Sequence, residues 1–190
     1  MTDTKKAVRG RGITGMIKAT ALAVVLAGSL SMLSVGCSNV KDLNYTPVRM
    51  DPDPARKKAK LVSSGLLEMA GVKGKVTEPG PSVSRCREYG DDLYSLSHPW
   101  SVYEISDEQV DTGMANLRKG LTENGWKITK DGKAKSQAQD PEIYAENDGQ
   151  GFAMVVTGMK KTATGGPMLL FEVVSKCYRA ASAASLDGEY

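Results

Sequence analysis

The stretch WSVYEISDEQVDTGMANLRKGLTENGWKITK, residues 100–130, contains the change of period that decides the fold. From Ser106 onward the apolar positions Val110, Met114, Leu117 and Leu121 recur at three- and four-residue spacing, which is one face of a helix. Ser106 with Gln109 forms a capping box, in which each side chain satisfies the other's backbone N–H, and Asn124-Gly125 supplies the stop. On either side, residues 100–105 and 126–130 carry the aromatic and β-branched side chains of strands.

Three more strands are expected toward the C-terminus, at about 142–147, 151–159 and 167–177, joined by the turn signals Asn147-Asp148-Gly149 and Gly165-Gly166. Toward the N-terminus a second helix is expected. Asp53 can cap it, Pro54 fits its first helical position, Ala55, Ala59, Val62, Leu66 and Met69 share a face, and Gly71 and Gly74 end it. The order of elements reads as α+β: a mainly antiparallel sheet of about five strands with two helices packed on one face. This domain is expected over residues 53–179, between a polar tether at 38–52 and a frayed tail at 180–190.

Ahead of the tether, Lys5, Lys6, Arg9, Arg11 and Lys18 precede a mostly small and apolar run from Ala19 to Val35, which reads as a secretory signal peptide over residues 1–36. Of the 25 Lys+Arg and 22 Asp+Glu, removal of that segment leaves 20 against 21, a formal charge of −1 on the remainder. Nucleic-acid binding is not expected, because a basic face is needed to displace counterions.

The run ends in Leu33-Ser34-Val35-Gly36-Cys37, which resembles the lipobox of bacterial lipoproteins; Ser34 stands where that motif usually has Leu. The resemblance implies lipidation of Cys37 and anchoring of the protein at the extracytoplasmic face of the cell membrane. The remaining cysteines, Cys86 and Cys177, are then an even pair in an oxidising compartment, and a disulfide between them is expected. Cys177 shares its parity with Leu169, Phe171 and Val173, placing it on or near the buried face. A metal pair is the competing reading; against it, the only histidine is His98 and neither Cys86 nor Cys177 has a second cysteine within metal-ligand spacing.

Several features together are similar to the actinobacterial lipoproteins typified by mycobacterial LppA. They are the lipobox, the early helix, Cys86 ahead of the first expected strand, the Tyr103-Glu104-Ile105-Ser106-Asp107-Glu108 entry to a helix and its Gly125-Trp126 exit. The Asn147-Asp148-Gly149-Gln150-Gly151-Phe152 turn and Cys177 at the last strand complete the set. The resemblance implies a surface lipoprotein with a Cys86–Cys177 disulfide, and it brings no catalytic residue with it.

No catalytic set is expected from the residues themselves, and no cofactor or metal. His98 reads as a loop histidine, and the Gly-x-Ser-x-Gly nucleophile elbow is missing. Glu88, Asp91 and Asp92 form an acidic knot without the spacing of a calcium loop, and Glu146-Asn147-Asp148 reads as a solvated turn. Residues 49–75 carry a local charge of +4. Within them Arg56, Lys57, Lys58 and Lys60 are candidates for contact with an anionic membrane surface.

These readings add up to a non-enzymatic envelope lipoprotein that binds a protein or a small ligand. An apolar-ligand or lipid carrier is the alternative, to be recognised by a cavity between helix and sheet. A cell-wall hydrolase is a second alternative, to be recognised by a polar cleft joining His98 to the acidic knot.

Overall fold

The computed structural model describes residues 41–77, 79–160 and 165–188. Its elements are α1 (Pro52–Ala70), β1 (Lys75–Val76), β2 (Ser82–Arg85), β3 (Leu93–Tyr103), α2 (Asp107–Glu123), β4 (Lys127–Lys133), β5 (Pro141–Asn147), β6 (Phe152–Met159), β7 (Met168–Ser175) and β8 (Tyr178–Arg179). A short 3-10 turn at Ala184–Leu186 follows. The fold is α+β: one antiparallel sheet in the order β1-β3-β7-β6-β5-β4, with β2 and β8 also paired to β3.

The eleven-residue β3 organises the sheet. On one side it pairs with β8 and then β7; on the other it pairs with β2 over its first half and with β1 at its end. Between β2 and β1 that outer side is open, and Pro99 falls in the gap. Ser101 directs its N–H to Thr77 Oγ1 on the β1 side, so Pro99, two residues back, faces the same way and lacks only a donor that no strand would have used.

Alternation along the strands separates two faces. Leu96, His98, Trp100 and Val102 of β3, Leu169, Phe171 and Val173 of β7, Met154 and Val156 of β6, and Ile143 and Ala145 of β5 are buried under the helices. Trp100 stacks on Phe171 with ring centroids 4.0 Å apart. The opposite face carries Ser97, Pro99, Val155, Glu172 and the half-exposed Tyr144 and Leu170.

The helices form for the reasons their sequence suggests. In α2 the Ser106 hydroxyl accepts from Gln109 N–H and the Gln109 carboxamide accepts from Ser106 N–H, while Val110, Met114, Leu117 and Leu121 are all buried. α2 lies close to the sheet: a Cβ on Gly113 would meet Leu169 Cδ1 at 2.7 Å, and one on Gly158 would meet Met114 and Val110 at 3.0 Å. α1 buries Ala55, Ala59, Val62 and Leu66 as expected, with Ala70 in the last turn and Met69 partly covered.

Several boundaries differ from the sequence reading. α1 starts at Pro52, so Asp51 and not Asp53 occupies the cap position, Pro52 and not Pro54 is the first helical residue, and the Asp51 carboxylate is turned to accept from Ala181 N–H at 3.2 Å. The sheet has eight strands and not five, because the short β1, β2 and β8 exist only by pairing with β3. The strand expected at 100–105 begins at Leu93, so Cys86 lies between β2 and β3 and does not precede the first strand.

The described part of the expected tether is held. Lys41 N–H donates to Glu88 O, Cys177 N–H donates to Tyr45 Oη, and a parallel bridge joins Arg49 to Arg179. The expected frayed tail is also held over its described part: Ala180 N–H donates to Asp92 O, Leu186 is buried, and Arg85 pairs with Asp187 at 2.6 Å. The signal segment and Cys37 lie outside the described residues.

Candidate functional site: a cleft beside His98

The gap in the outer edge of β3 is bounded by α1 and by the chain running from β1 toward β2. Together they enclose a cleft of about 320 Å³, lined by Lys60, Ser63, Leu67, Thr77, His98 and Trp100 among others. α1 contributes Lys60, Ser63 and Leu67 from successive turns of one flank, which the 3.6-residue period brings into line.

His98 is the polar centre. Its Nε2 lies 2.9 Å from the carbonyl oxygen of Pro79 and its Nδ1 lies 2.8 Å from Ser63 Oγ. A carbonyl can only accept, so Nε2 carries the proton, Nδ1 presents its lone pair, and the Ser63 hydroxyl donates to it. Burial pushes the His98 pKa below the ordinary histidine range; the Pro79 hydrogen bond works in the opposite direction, and the nearby Lys60 charge lowers it further. The ring is therefore neutral near pH 7.

The buried neutral ring makes stability depend on pH. Because the folded state resists protonation, the unfolded chain binds more protons once the pH drops through the ordinary histidine value of about 6.5, and stability falls with pH from there toward the lower folded value. Urea unfolding at about pH 7.5 and about pH 5.5 should show a larger loss for the parent than for His98→Gln. Equal losses would mean that His98 does not report its burial.

Ser63 and His98 resemble two members of a catalytic triad, but the third place is taken by a backbone carbonyl, which supplies no negative charge to an imidazolium. Ser63 is 5% exposed and sits in the interior of α1. Its neighbouring N–H groups are committed to the helix and form no oxyanion hole. The arrangement orients a hydroxyl in the wall of the cleft. Lys60 is exposed at the rim and has no ion pair among the described residues. Trp100, 4% exposed, has its indole N–H buried without a hydrogen-bond partner among the described residues.

The other candidates are placed as follows. Cys86 and Cys177 form the disulfide, and both are only partly buried, Cys177 falling just beyond the end of β7. The acidic knot is divided among partners: Glu88 pairs with Lys41 at 2.6 Å, Asp92 pairs with Arg179, and Asp91 offers its carbonyl to Arg85. It does not join the His98 cleft, whose lining contains none of the three. Asp148 pairs with Lys176 at 2.8 Å, and Asn147 Oδ1 caps the turn at Gln150. Among the described residues no three His, Cys, Asp or Glu side chains are grouped to hold a metal ion.

Of the four basic residues of α1, Arg56 reaches the Pro81 carbonyl and Asp53, and Lys58 donates to the Gln150 carbonyl at 2.8 Å. Lys60 borders the cleft and Lys57 points to solvent. Sequence reasoning missed Ser63 as a partner of His98 and Trp100 as a wall of the cleft. The signal that could have found Ser63 is its polar side chain beside Ala59, Val62 and Leu66 on the buried flank of α1. No helix among the described residues is long and apolar enough to cross a membrane. Compared with protein-family profiles, curated proteins and solved structures, the chain matches none.

Proposed function

We propose that this chain is an exported lipoprotein of the cell envelope, anchored through lipid on Cys37, whose folded domain acts without catalysis by binding a small ligand in the His98 cleft. The cleft itself carries the reading: a Lys60 ammonium with no ion pair among the described residues stands at the rim of a pocket of about 320 Å³ whose walls combine hydroxyls with Leu67, Val76 and Trp100. That combination suits an anion with an apolar body. Export is supported by the basic and apolar character of residues 5–35 and by the Cys86–Cys177 bridge, a bond that persists in oxidising compartments. Kinship with the actinobacterial lipoproteins typified by LppA belongs to the same proposal and rests on the motifs quoted above.

Ligand in the cleft is favoured over an acyl-chain carrier, because α2 lies on the sheet at Gly113 and Gly158 without room for a chain, and the space between α1 and β3 is walled by Lys60, Ser63, Thr77 and His98 as well as by apolar groups. It is favoured over hydrolysis because a backbone carbonyl and not a carboxylate stands behind the histidine, and the N–H groups beside Ser63 are taken up by the helix. Saturation-transfer NMR on the protein in lipid nanodiscs, with benzoate and phenylacetate as probes, tests the reading. Transfer to the ring protons is expected for the parent. Lys60→Gln should weaken binding about tenfold, the loss of one charge-assisted contact. Absence of transfer, or equal transfer in both proteins, would contradict it.

A further inference from the structure

The chain leading from Cys37 into the domain is fixed far closer to its start than a tether would be. Lys41 is held by its N–H to Glu88 O at 2.7 Å and by its ammonium to the Glu88 carboxylate. Tyr45 accepts from Cys177 N–H at 2.8 Å; Val48 O accepts from Arg179 N–H at 2.9 Å and Met50 N–H donates to Arg179 O at 3.0 Å. Tyr94 Oη then donates to Met50 O at 2.8 Å. Four Cα–Cα steps separate Cys37 from Lys41, a reach of about 14 Å at full extension. A domain of about 150 residues has a radius of gyration near 15 Å, so this leash is shorter than the body it holds.

A lipid on Cys37 would therefore keep one side of the domain against the headgroups, and the surface near residues 41–51 offers a side made for that. Leu61 and Val48 are the two most exposed large apolar side chains among the described residues, at 73% and 60%. Lys58 and Gln150 lie between them, bordering one shallow groove with Val48 and another with Leu61. Lys57, one turn before Leu61 on α1, and Arg49, next to Val48 in the chain, are exposed and have no ion pair among the described residues. Two apolar tips set among Arg49, Lys57 and Lys58 suit a surface that is apolar below and anionic above.

We propose that this edge, made by Val48, Arg49, Lys57, Lys58 and Leu61, rests on the anionic leaflet and sets the orientation of the domain, leaving the uncovered face of the sheet directed away from it. The inference depends on the lipid anchor proposed above. It also changes the membership of the basic patch: Arg56 has its charge paired with Asp53 and Lys60 serves the cleft, whereas Lys58, bound to the neutral Gln150 carbonyl, keeps a charge with no ion pair among the described residues, and Val48, Arg49 and Leu61 join.

The test uses the full lipoprotein purified from membranes and reconstituted in vesicles of mixed phosphatidylglycerol and phosphatidylcholine, with bromine on the acyl chains as a quencher. Trp100 and Trp126 are buried and serve as an internal baseline. Leu61→Trp and Val48→Trp are expected to be quenched several-fold more than Leu170→Trp, whose site lies on the uncovered sheet face, and to lose most of that quenching when Arg49, Lys57 and Lys58 are changed to Gln. Mass spectrometry of Cys37 is run on the same preparation. With the lipid present, equal quenching at all three sites, or none at residues 48 and 61, overturns the orientation and leaves the anchor standing. An unmodified Cys37 overturns both.

Discussion

Changing Cys86 and Cys177 together to serine is expected to lower the unfolding free energy by roughly 4 to 5 kcal/mol, from the loop-closure entropy that the bridge removes from the unfolded chain. The two cysteines are 91 residues apart in sequence. Cys86 lies between β2 and β3 and Cys177 between β7 and β8, so the bond ties the start of the sheet to its end. It also supports the leading segment, because Cys177 N–H donates to Tyr45 Oη. The double substitution leaves no free thiol in the domain, so urea unfolding can be read without disulfide exchange. A shift below about 1 kcal/mol would mean that the bridge is redundant with the packing of β3 on β7 and β8.

Cys37→Ser is expected to have the largest effect on location. On the proposed anchor, a serine offers no thiol for lipid attachment. The acylated form should disappear, and the protein should be found as the precursor longer by 36 residues or free in the medium. A diacyl or triacyl anchor is effectively stable, whereas the cations of Arg49, Lys57 and Lys58 add only on the order of 1 kcal/mol each at the surface. Metabolic labelling with palmitate and fractionation of the cells read both outcomes. Undiminished label and membrane retention in Cys37→Ser would place the anchor elsewhere.

How far the fold could be read from sequence varies with the range of the interactions that make each element. α2 was legible in full, since its capping box and apolar stripe are relations within four residues. The strands from β4 to β7 were legible to within a few residues for a similar reason: each is long enough to show alternation. β1, β2 and β8 were not, being two, four and two residues long and made by pairing with β3. The first half of β3 is not legible in sequence, because Ser95, Ser97 and Pro99 interrupt its apolar pattern; these residues point to the uncovered side, where polar groups are tolerated and, at Pro99, no donor is needed.

The ends of the domain were misread for another reason. Residues 41–51 are largely polar and 180–188 are mostly small residues without periodicity, but their backbones are captured by Arg179, Asp92 and Asp51, and capture of backbone leaves no pattern in sequence. The candidate site was legible in one member only. His98 was visible as the single histidine, yet one partner is a serine 35 residues away on α1 and the other is a backbone carbonyl, which any residue at position 79 would possess. The cleft also depends on the break between β2 and β1, which no local feature announces.

The proposed anchor underlies both the location of the protein and the orientation of its domain, so its most direct test is mass spectrometry of the N-terminal peptide of protein isolated from cell membranes. The account predicts a chain that begins at Cys37 and carries a diacylglyceryl group on Sγ. A chain that begins at Cys37 or earlier with an unmodified thiol, recovered from the same membranes, would contradict it.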